Sequence, residues 1–219
     1  MEKTILTANQ RGVLKFLSTE KSFLKYFYLT GGTALSEYYL RHRLSEDLDF
    51  FSDVEVDKQW ITSLVTRLTK KLVVISVDRR EIFNRNLVFI NTPKETVKTE
   101  FTYFPSPRIE NSKIVSGIPV DSLVDIATNK FFTIYKKPTA RHFIDLYLLL
   151  TQRGFSLNQL EKLARIKFDT AIDPIQLGSQ LVKSEDISDL PQMLISLPEK
   201  EWRDYWTKQA IALKGRVEK

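Results

Sequence analysis

The chain has 219 residues, 42% hydrophobic and 27% charged, with only seven Gly and eight Pro, a globular composition that excludes the collagenous and disordered classes. It contains no Cys and only two His, His42 and His142, which removes a disulfide framework, a thiolate zinc site and a Cys nucleophile and argues against a His-rich metal centre. A net charge of +6 is a mild bias toward polyanionic partners such as nucleotides or nucleic acid.

In chain order, Val13, Leu14, Leu17, Phe23 and Leu24 recur at helical spacing between Thr7 and Tyr26, and Phe27-Tyr28-Leu29-Thr30 follows as a short buried strand. Gly31-Gly32 stops that strand, and Ala34 to Arg43 reads as a helix. Asp47 to Ser52 alternates acidic and apolar residues at period two, the mark of a strand with two unlike faces. Asp57 is placed to cap a helix whose apolar stripe is Trp60, Ile61, Leu64, Val65 and Leu68. Strands are expected over Leu72 to Arg79, Asn86 to Asn91, Thr96 to Phe104 and Lys113 to Val120. Beyond them, Asp121 to Lys137, Ala140 to Arg153, Leu157 to Phe168, Pro174 to Lys183 and Glu199 to Lys214 all read as helices. The pattern predicts an α+β fold with a mixed sheet over residues 1–120 and a helical half over 121–219. The N-terminus lacks a signal-peptide core, and the longest apolar run, Phe143 to Leu150, is broken by Asp145. These features predict a soluble cytoplasmic protein with no membrane partner.

The stretch YLTGGTALSEYYLRHRLSEDLDFFS carries most of the chemistry. Two glycines between a strand and a helix expose backbone N–H groups at a helix start, where phosphate is favoured, and the Thr33 hydroxyl is available beside them. Asp47 and Asp49, two apart on a strand, project from one face while Leu48 and Phe50 enter the core. Paired carboxylates repel each other. A hard divalent cation with oxygen ligands, Mg²⁺ bridging nucleotide phosphates, would explain them, and a solvated acidic pair is the alternative.

Further along, Lys98 and Glu100 share one strand face, so Glu100 is either a surface partner of Lys98 or a third carboxylate beside the aspartates. Lys130 falls on the apolar stripe of its helix with Leu123, Ile126, Ala127 and Ile134, which calls for a buried anion such as a triphosphate. Asp145 lies in a helix that is apolar nearly all round and needs a cation, either Arg141 one turn earlier or Lys130 on the preceding helix. An interhelical ion pair that only fixes packing accounts for the same residues.

The segment from Gly31 to Leu35 and from Arg43 to Phe51 resembles the first motif of the AbiEii/AbiGii-like nucleotidyltransferases of the DNA polymerase β-like superfamily: Gly-Gly-Thr-Ala-Leu, a helix, then Arg-x-Ser-x-Asp-Leu-Asp-Phe-Phe. Lys98-Thr99-Glu100-Phe101 with Pro105, Asp125 to Lys130, and Arg141 to Tyr147 match its later motifs. His142 departs from the acidic neighbour that many members carry after the basic residue. The resemblance spans about residues 25 to 152.

It implies a polymerase β-like sheet and Mg²⁺- or Mn²⁺-dependent nucleotidyl transfer from an NTP to a hydroxyl. Asp47, Asp49 and Glu100 would hold metal, and Glu100 would also activate the acceptor oxygen. Gly31, Gly32, Thr33 and Ser45 would contact the nucleotide, Lys130 would neutralise the triphosphate, and Asp145 with Arg141 would orient it. The family further implies the toxin of a type IV-like toxin–antitoxin or phage-abortive-infection system, acting on RNA, in some members at the tRNA 3′ end, with a cognate antitoxin. Lys70, Lys71, Arg79, Arg80, Arg85, Lys136 and Lys137 are candidate RNA-backbone contacts. A protein-directed adenylyltransferase and a non-catalytic nucleotide-binding module are the competing readings.

Overall fold

Thr7 starts the first helix because its hydroxyl and the Gln10 side chain form a reciprocal capping box. In the computed structural model, which describes residues 4–55 and 57–217, this helix, α1, runs over Ala8–Leu17. The expected single helix to Tyr26 is broken: the Ser18 and Thr19 hydroxyls bond back to the carbonyls of Lys15 and Phe16, competing with the backbone ladder. A separate helix, α2, follows at Lys21–Tyr26.

Seven strands form one mixed sheet. They are β1 (Tyr28–Thr30), β2 (Asp47–Ser52), β3 (Ser76–Ile82), β4 (Arg85–Asn91), β5 (Thr96–Tyr103), β6 (Lys113–Val115) and β7 (Ile118–Val120). Their order across the sheet is β3-β4-β5-β2-β1-β7-β6. β2 runs parallel to β5, and β1 runs parallel to β7; the remaining neighbours are antiparallel. A mixed sheet with helices is the α+β architecture that the sequence pattern predicts.

The alternation in Asp47–Ser52 decides which face is which: Leu48, Phe50 and Ser52 are buried and Asp47, Asp49 and Phe51 are not fully so. Phe50 is in register with Phe101 of β5 and their rings stack at 5.3 Å, with Phe23 set edge-on to Phe50 at 5.1 Å. That aromatic cluster fixes β2 and β5 from behind. The helix α4 (Lys58–Thr69), capped by Asp57 on the Gln59 N–H, buries Ile61, Leu64, Val65 and Leu68 of the expected stripe.

Two elements differ from expectation. β3 begins four residues later than Leu72, and Val73 and Ile75 are 78% and 70% exposed. On an edge strand, pairing with β4 sets the register and apolar content does not. Lys113 to Val120 is a tight hairpin, β6–β7, turning on Ser116 and Gly117, both at positive φ.

By backbone contacts the chain divides into residues 1–123 and 124–219. The second unit holds α5 (Leu123–Lys136), α6 (Ala140–Gln152), α7 (Leu157–Phe168), α8 (Pro174–Val182) and α9 (Glu199–Val217). Trp202 and Trp206 of α9 are fully buried, and the Trp206 indole N–H donates to the Phe143 carbonyl of α6 at 3.1 Å. His142 caps α6, its Nδ1 accepting from the Thr139 N–H at 3.2 Å. Among the described residues no helix is long and apolar enough to cross a membrane.

Candidate active site on the carboxylate face of the sheet

Parallel register aligns Asp47 with Lys98 and Asp49 with Glu100 across β2 and β5. Because the aromatic pair Phe50–Phe101 faces the core, the residues flanking it on both strands must face the other way. One sheet face therefore carries Asp47, Asp49, Lys98, Glu100 and Thr102, with Arg85 and Leu87 contributed by β4 opposite Thr102 and Glu100. Asp47, Asp49 and Glu100 thus share one face of the sheet.

Their partners are cations of the sheet itself. Lys98 Nζ lies 2.6 Å from Asp47 Oδ2. Arg85 grips Glu100 in a bidentate pair, Nε to Oε1 and Nη2 to Oε2, both 2.6 Å, and the Thr102 hydroxyl donates to Oε1 at 2.7 Å. Glu100 is only 5% exposed. Burial pushes its carboxyl up, but the Arg85 and Thr102 hydrogen bonds with the Arg85 and Lys98 charges outweigh burial and hold it below the ordinary value. Glu100 pairs with Arg85 and not with Lys98, while the Arg85 side chain stays 48% exposed. The Arg85 pairing was hidden in the sequence, since it depends on the β4–β5 register; the shared face of Lys98, Glu100 and Thr102 was the one available signal.

The glycine pair belongs to a helix, not to a turn before one. α3 (Gly31–Leu35) starts at Gly31 and continues as a π-helical segment, Ser36–Leu40, that ends at Arg41 in the left-handed region. No side chain caps α3 at Thr30, whose hydroxyl donates instead to the buried Asp121 carboxylate at 2.7 Å. The glycines have a steric reason to be there. A Cβ on Gly31, at φ +72°, would stand 2.3 Å from Asp49 Oδ2, and one on Gly32 would stand 2.6 Å from Arg43 Nη2 and 2.9 Å from Ser45 Oγ. The Gly-Gly, Arg-x-Ser and Asp-x-Asp elements of the motif touch one another, which explains their occurrence together.

Thr33 is fully buried and its hydroxyl donates to the Asp47 carbonyl, so it anchors the start of β2 and does not face a phosphate. Gln10 supports the same loop, its amide donating to the Glu46 carbonyl at 2.9 Å. Three carboxylates offer the all-oxygen donor set that a hard cation takes. A carboxylate has about four lone-pair sites; the three donors on Glu100 leave one, on Oε2, for a metal. As the side chains stand, however, no group of three or more His, Asp or Glu among the described residues converges to hold a metal.

In the helical unit, Lys130 pairs with Asp145, the side chains 8% and 0% exposed. Of the two cations open to Asp145 in the sequence, the structure thus gives it Lys130, while Arg141 is exposed. A second buried pair joins Lys167 of α7 to Asp125 of α5 at 2.5 Å. Lys167 was overlooked, although it continues the apolar stripe of Leu160 and Ala164 on α7.

A family model described as "Nucleotidyl transferase AbiEii toxin, Type IV TA system" matches residues 15–218. An uncharacterized protein of Aquifex aeolicus is 32% identical over 164 residues, covering 73% of this chain and 74% of its own length. Among solved structures, a candidate nucleotidyltransferase from Helicobacter pylori aligns at TM-score 0.63 and 20% identity, over 96% of this chain and 93% of that one. MenT4, a nucleotidyltransferase toxin of Mycobacterium tuberculosis, aligns at TM-score 0.50 and 11% identity, over 95% of this chain and 86% of that one. At these identities the two structures speak for the fold alone.

Proposed function

As the chain belongs to the AbiEii nucleotidyltransferase toxin family and is a nucleotidyltransferase, we propose that it moves a nucleotide from an NTP to an RNA hydroxyl, at the tRNA 3′ end, and that a cognate antitoxin restrains it. The observation that carries this reading is the carboxylate face: Asp49 in register with Glu100, beside a helix start that no side chain caps.

Asp47, Asp49 and Glu100 would hold Mg²⁺, which supplies charge neutralisation on the phosphates when bound. The backbone N–H groups of Gly31 and Gly32 take phosphate oxygens, and Ser45 and Arg43, pressed against Gly32, fix that turn. Glu100 would serve as a ligand and would take the proton of the acceptor hydroxyl, and the Arg85 pairing that holds its carboxyl below the ordinary value keeps it ionised for both tasks. In the helical half, Lys130 neutralises the triphosphate, Asp145 orients the Lys130 ammonium, and Arg141 adds a cation.

Incubating the protein with each labelled NTP, Mg²⁺ and total RNA or lysate tests the reading. Label in RNA of tRNA size is expected; label in protein would replace the RNA acceptor with a protein one. Lys130→Ala is expected to raise the NTP dissociation constant, and unchanged binding would reduce Lys130 to a packing residue.

A further inference from the structure

Lys98 is the one residue of the carboxylate row whose charge is opposite to that of its neighbours and to which no task has been given. It is in register with Asp47, on a strand flanked by β2 and β4, so its Cα is fixed and only its side chain can move. Its ammonium lies 2.6 Å from Asp47 Oδ2, and the two side chains are 32% and 27% exposed. An ion pair this open to water is held weakly and exchanges readily. The other acid pair on the same face differs: Glu100 is gripped by two Arg85 nitrogens and a hydroxyl, with its side chain 6% exposed.

We infer that Lys98 is a transferable cation of the nucleotide-transfer site, holding Asp47 until a divalent ion claims that carboxylate and then passing to the polyphosphate. The inference rests on the nucleotidyltransferase reading above. A divalent cation on Asp47 competes for the oxygen Lys98 uses and repels the ammonium at close range. Of the other carboxylates on this face, Asp49 would serve the same divalent ion. Glu100 already accepts three hydrogen bonds, and Asp78, in register with Phe89, which is in turn in register with Lys98, accepts from Asn91 at 3.0 Å. A polyphosphate brought against Asp47 and Asp49 is the densest negative charge within reach, and a lysine on a flexible four-carbon stem suits such a transfer. Lys98 thereby raises the threshold for metal alone and lowers it for metal with nucleotide.

The test uses the full chain and two probes, Mn²⁺ alone and Mn²⁺ with inorganic tripolyphosphate, titrated calorimetrically into wild type, Lys98→Met and Lys98→Arg. In Lys98→Met, Mn²⁺ alone is expected to bind about fivefold more tightly, the competitor being gone, and Mn²⁺-tripolyphosphate about fivefold more weakly. Lys98→Arg keeps the charge and is expected to restore both toward wild type. A residue that merely stabilises the fold would weaken both or neither. Unchanged or weaker Mn²⁺ binding in Lys98→Met overturns the hold on Asp47, and unchanged tripolyphosphate binding overturns the transfer. If wild type itself neither binds Mn²⁺ nor labels any acceptor from an NTP, the underlying reading fails, and that outcome is distinct from a wild type that does both while Lys98→Met matches it. Urea unfolding of each variant confirms that a folded chain was titrated.

Discussion

The carboxylate face of the sheet and the helical unit both contain acidic side chains paired with cations, and they differ in how far water reaches the pairs. On the sheet, Lys98–Asp47 is about a third exposed on each side, and the Arg85–Glu100 pair is open on one side only, 48% against 6%. In the helical unit, Lys130–Asp145 is 8% and 0% exposed and Lys167–Asp125 is 1% and 0% exposed. An exposed pair contributes little to folding and exchanges its partners; a sealed pair, once one member is removed, leaves a buried charge without compensation. Carboxylates intended for a changing set of ligands belong in the first class. The sealed pairs join α5 to α6 and α5 to α7.

Substitutions on the two sides should separate activity from stability. The largest effect is expected for Asp49→Ala: nucleotide transfer falls to background while the urea midpoint stays near wild type, because Asp49 is only partly buried. Transfer equal to wild type would remove Asp49 from the chemistry. Asp125→Ala should do the reverse. It removes the carboxylate that the buried Lys167 ammonium pairs with and is expected to cost roughly 3–5 kcal/mol of unfolding free energy. Replacing both members, Asp125→Leu with Lys167→Met, should recover most of that loss, and a double variant as unstable as the single one would show that the charge is not the cause.

Gly31→Ala joins the two effects at one position. Forcing a Cβ into the left-handed region is expected to cost about 1–2 kcal/mol, and the added atom would meet Asp49 Oδ2 at 2.3 Å. Transfer should therefore fall by more than the stability loss explains, measured as activity under conditions where the variant remains fully folded. A decline in activity that only tracks the unfolded fraction would make Gly31 a backbone requirement and nothing more.

How much of this could be read in advance varies by residue. The strand Asp47–Ser52 was legible to the residue, since two faces in strict alternation leave one register. So were the Asp57 cap and the α7 boundaries. β3 was misplaced because its apolar neighbours Val73 and Ile75 lie in solvent beside a sheet edge. The glycine motif was visible as a pair of small residues, but its reason was not: Gly31 meets Asp49 and Gly32 meets Arg43, contacts across eleven to eighteen positions of chain that only the fold closes. The same limit hid Arg85 from Glu100 and Lys167 from Asp125. Local pattern locates the carboxylates; the cations that neutralise them are set by register and helix packing.

The smallest predicted effect sharpens the comparison within the sheet, and it is a pH dependence. Burial alone would raise the Glu100 carboxyl, and chiefly the Arg85 hydrogen bonds reverse the sign. With the folded value below the unfolded one, ionised Glu100 contributes stability that is complete above about pH 4.3 and is lost as pH falls through the lower folded value. In Arg85→Met, burial is opposed only by Thr102 and Lys98, so that contribution shrinks or changes sign at neutral pH. The stability gap between wild type and Arg85→Met, read from urea midpoints, should be widest near pH 7 and narrow steadily below pH 4, where both carboxyls protonate. A gap that stays constant over this range would mean that Arg85 stabilises through its packing on β4 and not through the charge it brings to Glu100. The exposure of the Arg85 side chain keeps the effect small, which makes its pH dependence, more than its size, the diagnostic quantity.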